Sequence, residues 1–242
     1  MRQITKLLRG STIQIYRDQM LLLLCFAPYL AGIGLKIAIP LINSILIKYL
    51  DFDLTPYYLM ADALILFLGT VMIGMMVGLL MLDERDDGIC IYYSVTPLGG
   101  NAYLSSRLIL PFVYSFITTL VVISFSAMGG LSYGWLPAPT FLSALNGIMM
   151  AMMLVSIASN KVEGLAVSKL LGFMLFGIPL AVFADSYLRI AGFALPSYWV
   201  MDMLIQANAG QTAGYILDFI LGLACTSVWF VILYRIFIRK IR

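Results

Sequence analysis

The sequence predicts an all-α, polytopic membrane protein: six transmembrane helices, an N-terminal interfacial helix, and a re-entrant outer hairpin before the last helix. Composition, the length of the apolar runs and the distribution of basic residues carry that expectation. Of 242 residues, 62% are hydrophobic and 11% charged, whereas soluble domains are roughly 45–50% apolar and about 25% charged. The mean hydropathy is +0.99. A bilayer span needs roughly 20 mostly apolar residues. Six spans and their short connections leave no room for a separate globular core, so residues 1–242 form a single transmembrane domain in this reading.

Residues 1–17 place Ile4, Leu7, Leu8 and Ile15 at helical spacing, interrupted by Arg2, Lys6, Arg9 and Arg17. That pattern suits an amphipathic helix in the headgroup region, and a basic tail is the alternative. The segment lacks the apolar run of a cleaved signal peptide. The first span is expected over about 20–47, with Pro28 and Pro40 kinking or tilting it. The second runs from about Leu59 to Leu82. Its Gly74-x-x-x-Gly78 allows close approach of helix backbones, a spacing that also arises readily in a glycine-rich span. Further spans are expected over about 108–131, 140–158, 165–184 and 213–234. Residues 185–212 are apolar, but Pro196 and Asp202 divide them into halves too short to cross. This stretch, with Trp199 three residues after the proline, fits a re-entrant or interfacial hairpin.

Charge distribution sets the orientation. With six spans, Arg2, Lys6, Arg9, Arg17, Arg85, Arg107, Lys161, Lys169, Arg235, Arg239, Lys240 and Arg242 share one side, 12 of the 15 Lys and Arg. Only Lys36, Lys48 and Arg189 fall on or near the other. The positive-inside rule therefore puts both termini in the cytoplasm of a multi-pass cell-membrane protein.

Little in the chain supports catalysis. It has no histidine, and its three cysteines have neither metal-ligand nor redox spacing. No G-x-x-x-x-G-K-[ST] loop is present to hold a nucleotide phosphate. An enzyme, a resident metal or cofactor, and a nucleic-acid partner are all unexpected, while membrane lipids are a necessary one. Lys36, Asp62 and Asp218 are ionisable groups inside spans and thus functional candidates. Their similar depth permits a Lys36–Asp62 or Lys36–Asp218 pair, and snorkelling to the headgroups is the alternative. Met149, Met150, Met152 and Met153, with Tyr198 and Trp199, are able to line an adaptable apolar path, although ordinary packing explains them equally.

Residues 83–107 separate the second and third spans by more than a simple turn. Glu84-Arg85-Asp86-Asp87-Gly88, then Thr96-Pro97-Leu98, then Tyr103-Leu104-Ser105-Ser106-Arg107 combine charges at one end, exposed apolar residues and a proline stop. This run resembles the signature of type-2 ABC exporter permeases. Together with Leu195-Pro196-Ser197-Tyr198-Trp199, it looks most like their small antibiotic- and fluoroquinolone-export members. The resemblance implies a permease subunit, commonly a homodimer, that moves a drug, antibiotic peptide or lipid out of the cytoplasm or inner leaflet. ATP and Mg would bind two copies of a separate ABC ATPase subunit. The 83–107 loop would be its coupling helix, with Glu84, Arg85, Gly88 and Pro97 at the contact and the turn bearing Lys161 and Glu163 as a second one. Asp86 and Asp87 depart from the family's more basic or small residues. The alternative is a secondary transporter or channel working without an ATPase, which would favour internal repeats and midplane charges.

Overall fold

A computed structural model describes residues 18–89 and 99–241. The regular elements of the described residues are all helices, without strands. Helix α1 spans Gln19–Leu50, α2 Tyr58–Asp86, α3 Gly99–Ser126 and α4 Pro137–Ile157. Helix α5 covers Lys161–Leu171, continues through a 3₁₀ stretch at Gly172–Phe176, and resumes as α6 at Gly177–Phe183. Two short helices follow, α7 at Ser186–Gly192 and α8 at Pro196–Asn208, before α9 at Thr212–Ile241. Six helical segments among the described residues are long and apolar enough to cross a membrane, with α5 and α6 forming one of them. The expected interfacial helix at 1–17 lies outside the described residues.

Local chemistry sets the boundaries. Asp18 caps α1 by accepting from the Met20 and Leu21 N–H groups at 2.9 and 3.3 Å. At the other end Asp51 closes the helix at a positive φ of 52°. Asn43 then fixes the turn into α2 by accepting from the Leu54 N–H at 2.7 Å. Helix α1 continues through Pro28 and Pro40. The third helix ends at Ser126 rather than near Leu131, because residues 127–132 form the turn that meets Asp62.

Helices α2 and α4 form the centre of the bundle, and α3 packs on both. Their close crossing explains Gly74-x-x-x-Gly78: a Cβ at Gly74 would stand 2.6 Å from Met150 Cβ and 2.7 Å from the Gly147 carbonyl. At Gly78 it would meet Leu154 at 2.8 Å. The glycines therefore serve packing inside one chain. Met149, Met150 and Met152 are fully buried in that core. Helix α1 lies against α2 and α3, and α9 against α4 and α8. Both outer helices expose large aliphatic side chains along their lengths, including Leu23, Leu30 and Ile37 on α1 and Ile216, Ile220 and Val228 on α9. Such a surface suits hydrocarbon, with backbone polar groups satisfied inside each helix.

Candidate functional site

The antiparallel helices bring Glu84, Arg85, Lys161 and Glu163 to one end of the bundle. Glu84 and Arg85 belong to the last turns of α2, and Arg107 lies inside α3, so the connection is shorter than residues 83–107. Glu84 and Arg107 are 1% and 3% exposed. The Arg107 Nε donates to Glu84 Oε2 at 2.9 Å, and its Nη2 donates to Oε1. Arg85 turns toward α4, donating to the Ala158 and Val155 carbonyls at 3.1 and 3.2 Å. Its guanidinium also lies over the Phe237 ring of α9. Gly88 follows with φ +71°, and among the described residues no heavy atom beyond its chain neighbours lies within 4 Å of where its Cβ would be. Pro97, with Thr96 and Leu98, lies outside the described residues.

Lys161 and Glu163 are in the first turn of α5, where a polar link before Leu165 was expected. Asn160 accepts from the Glu163 N–H at 2.8 Å, and Glu163 accepts from the Ser159 N–H at 2.7 Å. This reciprocal cap starts the helix four residues early. Lys161 Nζ reaches Asp18 at 3.0 Å and Asp83 at 3.1 Å, tying the starts of α1 and α5 to the end of α2. The Lys161 hydrogen bond, with those from Met20 and Leu21, holds the Asp18 carboxyl below its ordinary range. Asp86 accepts from the Lys161 backbone N–H at 3.0 Å.

At the opposite end the intramembrane charges do not pair as the sequence permits. Asp62 is buried and accepts from the Met128 and Gly129 N–H groups, both at 2.8 Å. Lys36 donates to the Phe125 carbonyl. Asp218 sits two turns into α9, near α8. Backbone groups at the end of α3 and in the turn after it take the places of the expected ionic partners of Lys36 and Asp62, while Asp218 lies beside α8.

The segment 185–212 contains α7 and α8, of 7 and 13 residues, both too short to cross. Pro196 opens α8 at its first position, where a missing N–H costs no helical bond. The packing places this helix against the break in the fifth span: Ser197 donates to the Met174 carbonyl, and a Cβ at Gly177 would stand 2.5 Å from the Tyr198 nitrogen. Arg189 of α7 donates to the Tyr198 hydroxyl at 2.6 Å and to Asp202 at 3.3 Å. Trp199 donates to the Phe193 carbonyl at 3.0 Å. Thus Trp199, Asp202 and Asp218, separate candidates in the sequence, line one cavity with Arg189.

Gly130-Leu131-Ser132-Tyr133-Gly134 has the G-x-S-x-G spacing of a hydrolase elbow. It lies in the turn between α3 and α4 and has no strand before it, and the chain has no histidine to serve as base. The sequence carries no site signal for Arg189, because its carboxylate partner Asp202 lies 13 positions on in a different helix.

The family model described as "Fluoroquinolones export permease protein Rv2686c-like" matches residues 11–234. The chain belongs to this family. It is 31% identical over 189 residues to the fluoroquinolones export permease protein MT2760 of Mycobacterium tuberculosis strain CDC 1551 / Oshkosh. It has the same identity over the same length to Rv2686c of M. tuberculosis strain ATCC 25618 / H37Rv. Each alignment covers 76% of this chain and 74% of the relative. No solved structure matches. Membership in an export-permease family bears out the resemblance seen in the sequence and makes this multi-pass chain a transport component.

Proposed function

We propose that this chain is the permease subunit of an ATP-driven ABC exporter, working as a homodimer with two ATPase subunits. Its charged junction would face the cytoplasm, together with both termini, as the basic-residue bias favours. The cargo would be an amphipathic or hydrophobic drug, and the relatives' names make fluoroquinolones the first to test. ATP and Mg would act in the partner subunit.

The single observation that carries this reading is the locking together of the described helix ends on either side of the 87–98 connection. Glu84 and Arg107 lock the flanking helices together, Arg85 grips α4, and Lys161 ties in α1 and α5. A partner pushing on that segment would therefore move several spans at once. In this arrangement Glu84 and Arg85 act as positioning residues, while the positive-φ Gly88 and the turn before Lys161 stand nearer the contact. The short-helix layer would form a re-entrant hairpin at the outer gate.

Co-expression with the candidate ATPase and purification through a tag on the permease tests the assembly. The expected result is a complex of two permeases and two ATPases whose ATP hydrolysis rises with a fluoroquinolone. Gly88→Pro should abolish that rise while leaving membrane insertion intact. Nucleotide-independent flux through the purified permease alone would favour a secondary transporter instead.

A further inference from the structure

A cavity of about 630 Å³ lies between the short-helix layer and α9. Its lining includes Arg189, Phe193, Tyr198, Trp199, Asp202 and Asp218. The Phe193 and Trp199 rings stack with centroids 5.4 Å apart, and Tyr198 stands edge-on to Trp199 at 5.3 Å. The charges are unequal. Arg189 is committed to Asp202 and the Tyr198 hydroxyl, which leaves the second carboxylate, Asp218, without an ion pair among the described residues. Asp218 is 6% exposed. Its Oδ2 is buried without any hydrogen-bond partner among the described residues.

An unpaired carboxylate out of water is costly unless a cation or donor reaches it. Aromatic faces beside it attract both positive charge and flat rings. The described residues contain no cluster of metal-ligating groups, so a bare metal ion is a poor match. We propose that this cavity binds an amphipathic organic cation, its positive charge against Asp218 and its rings against Trp199 and Phe193. The inference deepens the export reading, on which it rests, by naming the charge class of the cargo and the outer-side cavity that receives it. An ammonium centre is the recognised chemistry, and a lipid headgroup carries one as well.

The test uses the full chain in nonionic detergent, titrated with ethidium, a permanently charged planar cation, and followed by fluorescence anisotropy. Phenanthridine, neutral at pH 7.5, is the comparator. Asp218→Asn should weaken ethidium binding at least tenfold and leave phenanthridine within twofold, while Asp218→Glu should retain ethidium. Equal ethidium affinity in wild type and Asp218→Asn, or equal loss of both probes, would overturn the proposal. So would displacement of ethidium by stoichiometric phosphatidylethanolamine, which assigns the cavity to a lipid. A changed oligomer size in Asp218→Asn with unchanged ethidium binding assigns Asp218 to a contact between copies and has the same consequence. Binding is read without ATP or flux, so failure here leaves the export reading to its own ATPase test.

Discussion

Arg107 of α3 engages both carboxylate oxygens of Glu84 at the end of α2, and both side chains are almost wholly buried. Removing either partner strands the other charge, which costs about 3–5 kcal/mol in a buried pair. Glu84→Ala and Arg107→Ala should each lower the thermal midpoint in detergent sharply. The double variant Glu84→Leu/Arg107→Met should be more stable than either single one. Additive losses would show that the pair is not coupled.

Lys161 bridges two carboxylates on different helices with about a quarter of each side chain exposed. Pairs this accessible are worth about 0–1 kcal/mol after screening. Asp83→Asn should therefore change stability little, whereas Lys161→Met leaves Asp18 and Asp83 facing each other and should cost more. The folded Asp18 carboxyl titrates below its ordinary value. Its contribution is thus present above the unfolded pKa and is lost as pH falls through the depressed folded one. Midpoints of wild type and Asp18→Asn measured from pH 7 to pH 3 should converge only at the acid end.

Asp62 holds two backbone N–H groups and Lys36 a carbonyl, so the two side chains should be energetically independent. Asp62→Leu removes the acceptor of two part-buried N–H groups, at up to about 1–3 kcal/mol each. Lys36→Met removes one exposed contact and should be close to neutral. A double-mutant cycle on thermal midpoints should give no coupling between them, and a coupling of one ion pair's size would restore the direct contact.

The α2–α4 crossing leaves no room at Gly74. Gly74→Leu should overpack the centre, at about 1–3 kcal/mol or more. It should reduce the yield of monodisperse protein, read by size exclusion after detergent extraction. Loss of dimer from an otherwise stable monomer would instead place the glycines at an interface between copies.

The sequence by itself determined the six spans, the non-crossing stretch before α9 and the side on which basic residues gather. Those features follow from hydropathy, segment length and proline position, all local properties of the chain. It also pointed to Glu84 and Lys161 through the family resemblance, to Asp202 as a break in the hairpin, and to Asp62 and Asp218 as charges inside spans. Only the tertiary structure decided their partners. Glu84 meets Arg107 across 23 positions, Lys161 meets Asp18 across 143, and Asp62 meets the turn after α3 across 66. Depth along a span limits which charges are able to meet, but helix rotation and neighbour choice decide which do, and these are set by packing. The fifth span shows the same division. Its apolar length was legible, while its early start at Lys161 depended on a cap between Asn160 and Glu163, and its 3₁₀ segment lies where Ser197 reaches the Met174 carbonyl.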